Sequence, residues 1–153
     1  GVEAKVICYP RMNTNASRSG AKAAVMIHPL KAVTVRAFIL PAKRERYYLL
    51  LGHETQRETL LQGLYHCHDF DPRFASALPS ATDISALLRA RGAPAKCHVI
   101  SPDRAIDGCE MTMQDAIAAA APSACILCCV PGVLAFYAGE DGEQRLLLER
   151  RKH

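Results

Sequence analysis

Residues 125–149 read Cys-Ile-Leu-Cys-Cys-Val-Pro-Gly-Val-Leu-Ala-Phe-Tyr-Ala-Gly-Glu-Asp-Gly-Glu-Gln-Arg-Leu-Leu-Leu-Glu. Three apolar runs of strand length stand here in succession. Cys125–Val130 is uniformly apolar and is stopped by Pro131-Gly132, as suits a buried strand. Val133–Ala138 and Gln144–Glu149 follow, with Gly139-Glu140-Asp141-Gly142 between them. Two such runs around a Gly/Asp-rich turn read as a hairpin. Strands joined by short turns must run antiparallel, because a parallel return needs a long crossover.

Upstream, three helices carry start signals. Thr55-Gln56-Arg57-Glu58 is a capping box, in which hydroxyl and carboxylate satisfy two orphan N–H groups. Leu60, Leu61, Leu64 and Tyr65 follow at helical spacing, predicting a helix over about 56–67. Ser80-Ala81-Thr82-Asp83 is a second box, with Ile84, Leu87 and Leu88 behind it. Gly92 and Pro94 end that helix near Arg91. Thr112-Met113-Gln114-Asp115 opens an alanine-rich third helix that Pro122 ends. Residues 4–9 and 97–100 read as short strands. Val33, Val35, Ala37 and Ile39 alternate, so 32–40 is predicted as a strand, and the run Tyr47–Leu51 predicts another at 46–51. The pair would form a hairpin with Lys43-Arg44-Glu45-Arg46 at its tip. The strand–helix–strand unit over 97–130 suggests one parallel crossover. Residues 11–22 are small and polar and read as a loop.

The expected fold is therefore α+β. A mixed, mostly antiparallel sheet of six to seven strands carries three helices, mainly on one face. An α/β arrangement is the alternative. No linker divides residues 1–153, so a single domain is expected.

Composition narrows the function classes. Half of the 153 residues are apolar and 22% are charged, as in globular domains. No uncharged apolar stretch reaches membrane-spanning length. Trp is absent and aromatics are 6%, which disfavours a sugar- or base-stacking platform. Residues 1–50 hold nine Lys/Arg against Glu3 and Glu45, a net of +7. The remaining residues hold ten basic and thirteen acidic groups, a net of −3. A basic third facing an acidic remainder suits self-association, with polyanion binding as another use. Seven cysteines, an odd number in mostly apolar runs, suit free thiols in a cytoplasmic protein. The Ala- and Arg-rich composition suggests a bacterial source.

Two constellations can carry chemistry. His66-Cys67-His68-Asp69-Phe70-Asp71 concentrates metal-ligating side chains. His66, His68, Asp69 and Asp71 could supply two imidazoles and a carboxylate to Zn or Fe, which would activate water for hydrolysis. The competing account is a histidine stabilising the end of a helix. Second, the loop Ser101–Gly108 lies after a strand and before a helix. Asp103, Arg104 and Asp107 are its candidates for binding a small ligand, against an account as ordinary turns. Cys125 and Cys128 spell C-x-x-C, but on an apolar strand they face opposite sides and read as buried thiols. Cys109, between Gly108 and Glu110, reads as the exposed thiol. Ser17–Lys22 is not a Walker A loop, and no hydrolase or dinucleotide motif occurs.

The expected function is a small binding or regulatory domain that self-associates and takes a small molecule. A metal-dependent hydrolase built on residues 66–71 is the alternative. Polyanion binding through residues 1–50, nucleic acid included, is the third.

Overall fold

The computed structural model describes residues 28–53, 55–120, 124–139 and 144–150, together with the backbone of Ile7 and Cys8. The loop 11–22, the middle of the turn 139–142 and the basic tail from 151 lie outside the described residues.

The described residues form five α-helices and seven strands in an α+β fold, the class expected. In chain order the elements are β1 (Ile7–Cys8), α1 (Pro29–Phe38), α2 (Arg44–Leu50), α3 (Arg57–His66), β2 (Ala75–Ala77), α4 (Ile84–Ala90), β3 (Lys96–Ile100), β4 (Cys109–Thr112), α5 (Met113–Ala120), β5 (Cys125–Val130), β6 (Leu134–Ala138) and β7 (Arg145–Glu149). The strands make one sheet in the order β1-β4-β3-β5-β6-β7-β2. Every described neighbour pair is antiparallel. The hairpin read at 133–149 is β6–β7, with Phe136 opposite Leu147. The edge strand β2 has three residues, which limits edge-to-edge pairing there.

Helices cover both faces of the sheet, not one. Side chains alternate along β5, so Ile126 and Cys128 join the core under α1–α3. Cys125, Leu127 and Cys129 join the core under α4 and α5. This is why the central strands are apolar at every position: neither face meets water.

Three expectations fail for identifiable reasons. Segments 32–40 and 46–51 are helices, not a hairpin. In α1 the buried residues include Lys31, Thr34, Val35 and Phe38, the i, i+3, i+4, i+7 stripe of a helix. Of the alternating Val33, Val35 and Ala37, only Val35 stands on that stripe, and Val33 is left half-buried. The start signal is Pro29 at the first helical position, with His28 Nδ1 accepting from Leu30 N at 3.1 Å. In α2, Tyr47 and the following Leu51 go inward one turn apart, and Leu49 is left 53% exposed. The 97–130 unit is not a parallel crossover either. The unpredicted strand β4 turns the chain back beside β3, so α5 returns it antiparallel in β5. The start of α4 also shifts: Asp83 itself, not Ser80, caps the helix, accepting from Ala86 N at 3.1 Å, whereas the Gly92 stop stands as expected, with φ of 94°.

Candidate functional site

The loop 101–108 joins β3 to β4 and is held by its own polar groups. Asp103 Oδ1 accepts from Ala105 N at 2.9 Å, and Ser101 Oγ accepts from Asp103 N at 3.0 Å. Gly108 completes the reversal with φ of 79° and bonds Val99 O through its N–H. Left-handed backbone there favours glycine. The loop turns Asp107 inward, where Oδ1 accepts from Ser101 N at 3.0 Å.

Two cations meet that carboxylate from the helices above. Lys31 Nζ of α1 lies 2.7 Å from Asp107 Oδ2, and Arg57 Nη1 of α3 lies 3.3 Å from the same oxygen. Arg57 Nη2 also donates to Pro102 O at 3.3 Å. These side chains are 9% exposed or less. Both cations belong to the first turn of their helix, so the positive ends of α1 and α3 lie at the cluster. Among the described residues the ion cluster sets two positive groups against one negative. Arg57 Nε has no acceptor among the described residues.

Beside the ion cluster, the His28 and His98 rings stack with centroids 5.0 Å apart. Burial first, then the nearby His28 and Lys31, push the His98 imidazole down to about 4; Asp107 opposes this. Burial and Lys31 also lower His28. Across the sheet from His98 stand Glu110 and Cys128. Cys128 Sγ is 3.0 Å from Thr34 Oγ1, and burial pushes its thiol up to about 11. At neutral pH the cluster thus holds neutral imidazole and a protonated thiol, beside two fixed cations and one carboxylate.

A pH dependence follows. Unfolded His98 binds a proton below about pH 6.5, whereas folded His98 resists it until about 4. Between those values the unfolded chain binds more protons, so stability falls as pH drops through the window. The expected loss is about 3 kcal/mol by pH 4, with none above pH 7 from this group. His28 acts in the same direction. Asp71, held low chiefly by Arg73, loses its contribution only as pH falls below its ordinary carboxylate range. Urea unfolding at pH 7.5, 6, 5 and 4 reads the slope, and His98→Gln should flatten it. An unchanged slope in that variant would remove His98 as the cause.

Of the loop residues singled out in the sequence, only Asp107 reaches this cluster. Asp103 is exposed and organises the turn, and Arg104 is exposed. Lys31, Arg57, His28, His98 and Ser101 were not legible as site residues. Lys31 had a signal once α1 is a helix, since it stands on the buried stripe three residues before Thr34.

Residues 66–71 are not drawn together. Asp69 is buried and accepts from Tyr47 Oη at 2.6 Å. Asp71 is buried and bonds Arg73 Nε and Nη2, at 2.8 Å to the latter. His66 and His68 are exposed. Both carboxylates are therefore committed to protein partners, and no set of three or more His, Cys, Asp or Glu among the described residues is arranged to hold a metal ion. Of the basic residues weighed for polyanion binding, Arg11, Arg18 and Lys22 lie outside the described residues. Arg44 Nε donates to Ile39 O at 3.1 Å, and Arg46 is exposed.

Two expectations are overturned at Cys109: its exposure, and the reading of all seven cysteines as free thiols. Cys109 is buried, not exposed, and it is disulfide-bonded. Its register partner across the β1–β4 pair is Cys8. Cys67, Cys97, Cys125, Cys128 and Cys129 stand outside any disulfide, and of them Cys67 alone is exposed. Burial raises the Cys97 thiol and pushes Cys129 up to about 12. Among these five, Cys67 is expected to react alone with iodoacetamide in the native protein, and peptide mass mapping before and after urea checks it. Rapid native labelling of Cys128 would contradict the packing.

No helix among the described residues is long and apolar enough to cross a membrane. No known protein family, curated protein or solved structure matches the chain.

Proposed function

We propose that the chain is a small-ligand-binding domain that recognises an anion at the Lys31–Arg57–Asp107 cluster. One observation carries this reading: two buried cations share a single carboxylate, and one guanidinium nitrogen has no acceptor among the described residues. Uncompensated buried charge is costly, so an added negative charge there is strongly favoured. The N-terminal ends of α1 and α3 add to the positive potential. Neutral His98 and protonated Cys128 leave no ionised nucleophile beside the cations, which favours binding over thiol catalysis.

Calorimetric titration with sodium phosphate, sulfate and acetate, against chloride, tests it. Saturable binding of one anion per chain is expected, and a ligand at a hundred times its Kd should stabilise the fold by about 2.7 kcal/mol. Arg57→Met should abolish the binding while circular dichroism shows the fold retained. Failure of every anion to bind or to raise the melting temperature of the unaltered protein would overturn the proposal.

A further inference from the structure

β3 and β5 lie side by side inside the sheet, and their antiparallel register places two cysteines opposite each other. Val99 pairs Leu127 on the face under α4 and α5. Side chains two apart on a strand share a face. Two positions from that pair in one direction come Ser101 and Cys125, and Cys125 Sγ lies 3.4 Å from Ser101 Oγ. Two positions in the other direction, the same register brings Cys97 opposite Cys129. Both join the core under α4 and α5 together with Val99 and Leu127. β5 shifts register against β6 between Cys128 and Val130, yet Cys129 keeps the phase of Leu127, and Val130 is the residue that falls out of step. After burial, Cys129 is the neighbour that most raises the Cys97 thiol. Both cysteines stand outside any disulfide.

The pair between them, His98 and Cys128, faces the ion cluster, so Cys97 and Cys129 lie on the side of the sheet away from it. They are 2% and 5% exposed, but they sit near the ends of their strands, where Lys96 and Pro131 are exposed. Directly opposed residues of an antiparallel pair have Cα atoms about 4.5–5.5 Å apart. A disulfide spans about 4.4–6.8 Å between Cα atoms, so this register can be bridged without moving the backbone.

We infer that Cys97 and Cys129 are a reversible redox couple, closed by a peroxide into a cross-strand disulfide that joins β3 to β5. One thiol, as thiolate, attacks a peroxide oxygen. The O–O bond breaks, a sulfenic acid forms, and the departing hydroxide takes up the thiol's proton as water. The second thiolate attacks that sulfur, an S–S bond forms, and the expelled hydroxide leaves as a second water. Two thiols thus give up two electrons and two protons, and one hydrogen peroxide is reduced to two waters. The sheet holds the two sulfurs opposed beforehand, which favours this closure over attack by a thiol from elsewhere. Burial keeps both thiols protonated, so the first step is slow and sustained exposure is needed. Cys128 faces the other layer, and Cys125 stands at the Ser101 end of the strand pair, so neither competes.

The full chain is incubated with hydrogen peroxide, free thiols are blocked in urea, and non-reducing peptide mapping by mass spectrometry follows. Oxidation of the exposed Cys67 in the same sample shows that the peroxide has acted. The expected product is a link between Cys97 and Cys129, two hydrogens lighter than the dithiol and reopened by dithiothreitol. The cross-link closes a loop of 31 intervening residues and should raise the melting temperature by about 5–10 °C. With folds verified by circular dichroism, Cys128→Ala and Cys125→Ala should keep the link and Cys129→Ala should lose it. Oxidised Cys67 with Cys97 and Cys129 still as thiols would overturn the proposal. So would a link from Cys97 to another cysteine, or one that forms only when peroxide is added in urea.

Discussion

Asp107→Asn should destabilise the fold by about 3–5 kcal/mol, among the largest effects of any single substitution outside the apolar core. Asparagine keeps the size and one acceptor oxygen, so packing is preserved and the change isolates charge. What it leaves behind is Lys31 and Arg57, both buried, with no counter-charge between them. Their separate approaches to one carboxylate oxygen place the two cations close together, and without Asp107 they repel. Ser101 N and the reversal at 101–108 also lose their ionic acceptor. Arg57→Met should behave differently, within about 1 kcal/mol of the unaltered protein. It removes the surplus cation, keeps the 2.7 Å Lys31–Asp107 pair and replaces buried charge by apolar surface. Guanidinium chloride unfolding of both variants distinguishes the two. Equal and small losses would show that the cluster is solvated and that its charge imbalance has no energetic consequence, and the proposed anion site would lose its basis.

Leu64→Ala is expected to cost about 3–5 kcal/mol. Leu64 is fully buried on α3 and already borders a small apolar cavity lined by residues of α1, α2, α3 and the sheet. Truncation there extends an existing void, and the surrounding helices are pinned at the Lys31–Asp107–Arg57 ion contacts, so collapse is limited. The loss therefore falls in the upper part of the range for Leu→Ala changes, which grows with the volume left empty. Leu49→Ala on α2 serves as the contrast, since Leu49 is 53% exposed and should change stability by less than about 0.5 kcal/mol. Denaturant midpoints measure both. A Leu64→Ala loss below about 1 kcal/mol would show that α3 settles onto the sheet and closes the void.

The strand and helix reading succeeded where local chemistry and burial agree. The β6–β7 hairpin, the start of α3 and the Gly92 stop of α4 follow from turn residues, caps and spacing that act within a few positions. The reading failed at α1 and α2, where Val33, Val35 and Ala37 offer a two-residue period as well as a helical one, and an apolar run such as Tyr47–Leu51 fits either form. Cys109 read as exposed from its polar neighbours, whereas pairing of β4 with β1 and β3 places it inside. In the candidate site, Asp107 was legible because a strand-to-helix loop gathers polar groups. Its partners were not, because Lys31 and Arg57 stand 76 and 50 positions away and look like ordinary helix-surface cations.

By itself, then, the order of residues determined an α+β class, a largely antiparallel sheet and the positions of its best-signalled turns. Those properties arise from short-range sterics, capping and the alternation of apolar groups. The covering of both sheet faces, the helical state of 29–50 and the meeting of Lys31, Arg57, His98 and Asp107 were decided only in three dimensions. A charge becomes buried, and its imbalance acquires an energetic consequence, only when distant segments pack and exclude water from around it.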